Sequence, residues 1–320
     1  MPPVDTPAVE PVVSATEVTK RWSTTQALAG ATFTIGAGVT GLLGANGAGK
    51  TTLLGLILGL HRPDSGAITV FGRDPWVAGA EVRARLGYAP EHEALPPDVA
   101  AHDVVRHLAE LHGLPRREAT SRASDALWEV GLGEERFRPV GTMSTGQRQR
   151  VKLALAIAHD PELLLLDEPT NGLDPSQRED MLALIEHVGV DLGMHVILSS
   201  HLLEEVERVS QSVVILEAGR VVADGGMAEL SRTDPELVVE LDRVDATEPA
   251  AALLAALRLA GLTASADGPR RVVVALETPA VYDVVRDALA DGAYAVRKLE
   301  RRTASLEDVY LASAGSGRTS

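Results

Sequence analysis

The stretch Gly44-Ala-Asn-Gly-Ala-Gly-Lys50-Thr51 decides how this chain is read. It fits the spacing G-x-x-x-x-G-K-[ST] of a phosphate-cradling loop. Gly44, Gly47 and Gly49 let the backbone curl, so that successive N–H groups, with those of Ala45, Asn46 and Ala48 among them, face one anion. The helix that follows adds its positive end, where Thr52 also lies. Lys50 is expected to reach the β- and γ-phosphates of a nucleotide, and Thr51 to place a hydroxyl on Mg²⁺. The chain has only four lysines, so one in this spacing is informative.

The flanks supply the context such a loop requires. Val39 to Gly44 is a short apolar strand ending in glycine, and Gly49 to Leu58 is helical in pattern. A second glycine pattern, Gly36-x-Gly38-x-x-Gly41, has the form of a dinucleotide fingerprint. A strand follows it instead of a helix, which sets that reading aside.

Further out, β-like runs occur at Val12–Val18, Ala31–Ile35 and Gly66–Phe71. Residues of about 99–130 are helical, with a break at Gly113-Leu-Pro115, and another helix runs from Ser144 to Ala158. Leu163 to Asp167 is wholly apolar up to its last residue, as in a strand buried on both faces. Pro175 suits the first position of a helix after Asp174. Val196–Ser199 and Val213–Leu216 read as further buried strands. Strands alternating with helices predict a mostly parallel α/β sheet.

Leu163-Leu-Leu-Leu-Asp167-Glu168 places two carboxylates at the end of a buried strand. Beside a phosphate loop, Asp167 is expected to hold Mg²⁺ and Glu168 to act as the general base that polarises the attacking water.

Bulk properties narrow the class. The chain has 320 residues, no cysteine and a formal charge of −15. Disulfide and thiolate chemistry are excluded, and the acidic balance disfavours direct binding to nucleic acid or anionic lipid. No apolar run approaches the roughly 18 residues a membrane span needs. The start, with four prolines in eleven residues, has no basic lead, so it is not read as a secretory signal. Residues 1 to about 13 are expected to be a disordered lead-in and 314–320 a disordered tail.

With these residues in place, a resemblance becomes specific. Met143-Ser144-Thr145-Gly146-Gln147 resembles the signature motif of ATP-binding cassette (ABC) ATPases. Leu163–Thr170 resembles their Walker B segment, and Gly172-Leu-Asp174 their D-loop. His201 stands where the family's switch histidine belongs, and Trp22 where its adenine-stacking aromatic does. The resemblance covers residues 14–230. It implies a RecA-like P-loop NTPase core with a β-subdomain and a helical insert of about 92–145. It also implies ATP and Mg²⁺ as cofactors, hydrolysis of ATP, and a head-to-tail cassette dimer. In that dimer Ser144, Thr145, Gly146 and Gln147 of one chain would face the γ-phosphate held by the other. Asp174 would cross the interface, and His201 would sense the γ-phosphate.

Two departures stand out. Thr145 replaces the first signature glycine. Leu86-Gly-Tyr-Ala-Pro-Glu91 ends in glutamate where the family usually carries glutamine; Glu91 retains the ability to coordinate Mg²⁺ or orient water. This Pro-Glu ending, with Leu306-Glu-Asp-Val-Tyr-Leu311, resembles the subgroup that powers ABC-2-type exporters. That implies a separate transmembrane permease contacting residues near 76–112, in place of nucleic acid, and a peripheral place on the cytoplasmic face of the membrane. Two other readings of the cassette stay open: an ATPase acting on ribosomes or nucleic acid, and a regulatory ATPase.

Residues 231–313 change in composition. Strands and helices in βαββαβ order predict a small α+β, ferredoxin-like domain. His92, His102, His107 and His112 are spaced unlike metal ligands on one helix face, and are read as solvated. Arg297, Lys298, Arg301 and Arg302 are read as a solvated strand end or contacts to acids within the protein.

Overall fold

A computed structural model describes residues 10–92, 95–230, 236–242, 249–276, 278–292 and 294–302. The chain divides between Met227 and Ala228 into two compact units.

The first unit is built on a six-stranded sheet in which β5 (Leu86–Ala89), β6 (Leu163–Asp167), β7 (His195–Ser200), β3 (Val39–Leu43), β8 (Ser212–Glu217) and β9 (Arg220–Gly226) lie side by side in that order. Neighbours from β5 to β8 are parallel, and β9 is an antiparallel edge. The apolar run of β6 has a direct cause. Leu163 and Leu165 pack into a core with Leu53, Leu56 and Ile57 of α1 (Lys50–Ile57), whereas Leu164 and Leu166 pack into another with Val151, Leu155, Leu182 and Ile185. With both faces covered, neither set of alternating positions can be polar. Each such leucine contributes about 1.5–3 kcal/mol.

The second of these cores is closed by α3 (Ala101–Leu111), α4 (Arg116–Glu129), α5 (Thr145–Ile157) and α6 (Pro175–Val190). The expected helical stretch breaks at Gly113–Pro115: Pro115 lacks an amide hydrogen and starts a new helix instead. Ser144 N-caps α5 in a capping box with Gln147, and Asp174 N-caps α6 ahead of Pro175. The first core is closed by an antiparallel sheet of order β2-β1-β4, formed by β1 (Val13–Trp22), β2 (Thr25–Ile35) and β4 (Ser65–Val70).

The helices α2 (Pro75–Arg83) and α7 (Leu203–Val209) lack a sequence expectation. Both are short, and Trp76 and Val77 of α2 are exposed, which blurs the apolar stripe. Residues 1–9 of the expected lead-in lie outside the described residues, and its last residues join the fold. Val12 and Val13 are buried, and Val13 pairs with both Ile35 and Val70.

A short helix, α8 (Met227–Leu230), spans the division into the second unit. That unit runs β10 (Glu236–Leu241), α9 (Pro249–Leu259), β11 (Ala264–Ala266), β12 (Arg271–Ala275), α10 (Ala280–Asp291) and β13 (Val296–Arg302). Its sheet is antiparallel, in the order β11-β12-β10-β13. Leu237, Val239 and Leu241 alternate onto one face and pack with Leu253, Leu257 and Val285. Within the basic cluster Arg297 bonds Glu240 at 3.2 Å and Lys298 bonds Glu300 at 2.6 Å. The Leu306–Leu311 segment and the expected tail lie outside the described residues.

Candidate active site

Parallel strands β6, β7 and β3 end at one edge of the sheet, where loops can expose side chains outside the carboxyl ends. Register places Asp167 beside Ser199 and Leu43 beside Ser200. The Gly44–Thr51 loop, Asp167, Glu168 and His201 therefore meet there, although they come from distant parts of the chain.

The loop wraps the first turn of α1. Gly49 has φ 110°, and a Cβ there would collide with the carbonyl of Ala27, so only glycine fits. Lys50 is 6% exposed. Its Nζ donates to the carbonyl of Gly44 at 2.5 Å and lies 3.1 Å from Glu168 Oε1. Thr51 Oγ1 donates to Asp167 Oδ2 at 2.9 Å. A cleft of about 400 Å³ is lined by Trp22, Lys50, Thr51, Glu91, Asp167 and Glu168, with Ala45, Asn46, Gly47, Gly49 and Thr52 from the loop. Gly44 and Ala48 of the loop are not among the lining residues.

Glu168 is held unusually. Its φ is +49°, a left-handed conformation that costs a non-glycine residue about 1–3 kcal/mol. The N–H of Glu168 donates to both the carbonyl and the hydroxyl of Ser199, at 3.2 and 3.1 Å. Its Oε2 lies 2.8 Å from His201 Nδ1, while Oε1 has Lys50 as its ion-pair partner. A buried carboxylate between two nitrogen groups is aimed rather than free to rotate. The ring of His201 is 40% exposed, so it borders both the buried acid and solvent.

Glu91 sits at the cleft wall, its Oε1 accepting from Asn171 Nδ2 at 2.8 Å. Trp22 is half-exposed; its indole N–H donates to Thr52 Oγ1 at 3.2 Å and His61 meets the ring edge-on at 4.8 Å. Lys20 Nζ stands over the same ring, 5.0 Å from its centroid.

The remaining candidates stand elsewhere. Ser144, Gly146 and Gln147 line a separate cavity of about 320 Å³ with Arg150 and Gln177, and none of them lines the first cleft. Thr145 Oγ1 accepts from Arg148 at 3.1 Å, and Asp174 Oδ1 accepts from the N–H of Gln177 at 2.9 Å.

Sequence reasoning passed over two residues of this site. Ser199 donates to Asp167 Oδ1 at 2.6 Å, and Asn171 holds Glu91. The available signal was a pair of serines closing an apolar strand. His112 is exposed, as expected of a solvated ring, whereas the reading of His102 as solvated needs correction: its side chain is 13% exposed and lies against Phe137, with ring centroids 5.8 Å apart. His112 nevertheless stacks one face on His159, with ring centroids 3.7 Å apart, and desolvation at that contact pushes both rings down, His159 to about 4. Among the described residues no group of three or more His, Cys, Asp or Glu is arranged to hold a metal alone.

Comparison with known proteins identifies the family. The family model described as "ABC transporter" matches residues 28–171. A daunorubicin resistance ATP-binding protein of Streptomyces coeruleorubidus is 35% identical, covering 93% of this chain and 94% of its own. A linearmycin resistance ATP-binding protein of Bacillus subtilis is 35% identical over 72% of this chain and 74% of its own. A methionine import ATP-binding protein of Mesorhizobium japonicum is 32% identical, over 88% and 82%. Among solved structures, the ATP-binding subunit of an ABC transporter matches with TM-score 0.61 and 29% identity, over 69% of this chain and 92% of that one. A dimeric ATP-binding cassette bound to ADP and phosphate shares the fold, with TM-score 0.60 and 23% identity over 67% of this chain and 98% of that one. A buried Lys50–Glu168 pair over a glycine loop, Thr51 on Asp167 and these relatives lead to one conclusion: the chain belongs to the ABC transporter family, as a subunit that binds and hydrolyses ATP.

Proposed function

We propose that two copies of this cassette close head to tail on ATP and drive export through a separate membrane-spanning partner. The observation that carries this reading is the division of the machinery. Lys50, Thr51, Asp167 and Glu168 line one cleft, while Ser144 and Gly146 line another cavity of the same unit. A second chain laying its Ser144 and Gly146 over the first chain's cleft completes each site, with the N-terminus of its α5 facing the γ-phosphate. Asp174, at the start of α6, stands at the crossing.

Within a closed site, the loop N–H groups and Lys50 take up charge on the phosphates. Glu168, exchanging its contact with Lys50 for one with water, accepts the proton as that water attacks the γ-phosphorus and the bond to the β–γ bridging oxygen breaks, leaving ADP and phosphate. His201 holds Glu168 and reaches the γ-phosphate with its other nitrogen. Trp22 stacks the adenine. Hard oxygen donors suit Mg²⁺, which takes few protein ligands and keeps phosphate and water for the rest. Thr51 Oγ1 and Asp167 lie together on the cleft wall, with Glu91 on the same lining. These residues would hold Mg²⁺, which would supply neutralisation of phosphate charge.

Export is favoured by the relatives named for linearmycin and daunorubicin resistance, and by the glutamate at position 91. The methionine import relatives support a second reading, uptake through a different partner. No helix among the described residues is long and apolar enough to cross a membrane; the span is proposed to belong to another chain. We place the cassette on the cytoplasmic face through that chain, without direct contact to nucleic acid. The second unit is proposed as an accessory domain, and the first as the cassette proper.

The test is Glu168→Gln. This variant keeps the shape and loses the base, so gel filtration with ATP is expected to give a stable dimer. A monomer at saturating ATP refutes the two-chain site.

A further inference from the structure

We infer that Lys152 is a positioning residue that holds Glu91 at the nucleotide cleft. This rests on the proposed role of Glu91 in that cleft.

Lys152 is buried, at 8% exposure, in the middle of α5. Lysine is almost never buried without partners, because its ammonium loses water that the protein must replace. The replacements here are specific. Nζ donates to the backbone carbonyl of Glu91 at 2.8 Å and to that of Pro90 at 3.2 Å. These carbonyls belong to the turn just after β5, and Glu91 itself lines the cleft.

The same helix reaches Glu91 a second way. Gln149 donates to the carbonyl of Asn171 at 3.3 Å, and Asn171 donates to the Glu91 carboxylate at 2.8 Å. One helix thus fixes the backbone of Glu91 through Lys152 and its side chain through Asn171. Thr145, Gln149 and Lys152 share one stripe of α5, at spacings of four and three, and all three line a second cavity of about 360 Å³. Lys152 lies about 10 Å along the helix from Thr145, in the signature segment. Any displacement of that segment is carried as a rigid body to the carbonyl of Glu91. A neutral side chain of equal length fills the space but cannot grip two carbonyls.

The experiment is a double-mutant cycle on the full chain, reading steady-state ATP hydrolysis. Lys152→Met is expected to lower kcat about tenfold with KM for ATP changed less than about twofold, since phosphate binding lies elsewhere. Lys152→Arg, which restores the donors, is expected to recover most of the loss. In a Glu91→Ala background the same Lys152→Met change is expected to cost less than about twofold, because the residue it positions is gone. Equal losses in both backgrounds overturn the inference, as does an arginine variant no better than methionine. A Glu91→Ala variant with unchanged kcat overturns the reading of Glu91 itself, which separates the two failures. Should Lys152→Met not fold, Lys152→Gln carries the same cycle.

Discussion

Replacing Ser199 by alanine removes one oxygen from the centre of the site. Ser199 is fully buried; its hydroxyl donates to Asp167 Oδ1 at 2.6 Å and accepts from the N–H of Glu168 at 3.1 Å. Two losses could follow, and they differ in size. The Glu168 N–H keeps the Ser199 carbonyl at 3.2 Å, so it is not orphaned. Asp167 keeps Thr51 at 2.9 Å but loses its shorter, charge-assisted bond. Hydrogen bonds to charged groups are worth about 1.5–3 kcal/mol, so that range is the expected destabilisation of the first unit. The space vacated by one oxygen is about the minimum that holds a water, so substitution by solvent recovers little.

The assay exploits composition. The chain has three tryptophans, Trp22, Trp76 and Trp128, all in the first unit. Urea unfolding followed by tryptophan fluorescence therefore reports that unit alone, which matters because a chain of two units need not unfold in one step. A lower midpoint at unchanged slope is expected, together with slower ATP turnover because Asp167 is held by one partner fewer. A loss below about 0.5 kcal/mol refutes the reasoning, since that is what an indifferent surface site gives.

Lys50→Ala removes the cation over the loop and strands Glu168 beside His201 alone; ATP binding by titration calorimetry is expected to vanish, and retained micromolar affinity contradicts the phosphate-loop assignment. His159 supplies a pH test. Burial lowers its folded pKa to about 4 against an ordinary 6.5, so the unfolded chain binds the extra proton between these values. Stability is full above about pH 6.5 and falls on acidification toward pH 4. The linkage limit is about 3 kcal/mol, and partial exposure of the ring reduces the expected effect to about 1–2 kcal/mol. Urea midpoints of His159→Gln across that window should fall less than those of the parent; parallel curves count against the buried-ring account.

Much of the local structure was legible because its causes are local. The Gly44–Thr51 loop is set by where glycine is tolerated and by the helix that follows. Ser144 with Gln147, and Asp174 with Pro175, mark helix starts through hydrogen bonds within four residues. Strand β6 announces burial on both faces by its unbroken leucines, and the βαββαβ pattern of the second unit follows from alternation. Short elements with exposed apolar side chains, such as α2, gave too weak a period to read.

Proximity was of another kind. Thr51 and Asp167 are 116 positions apart, Glu91 and Asn171 80, and Glu168 and His201 33. Their contacts depend on strand order β5-β6-β7-β3 and on register, which no local period encodes. Ser199, Asn171 and Lys152 matter through such contacts, so the sequence presents them as ordinary strand, loop and helix residues. The phosphate loop, the paired carboxylates and the signature helix were determined by sequence alone. Only the tertiary structure decided which side chains meet in the cleft, because the parallel strands end together there, while the signature residues at the start of α5 line a separate cavity.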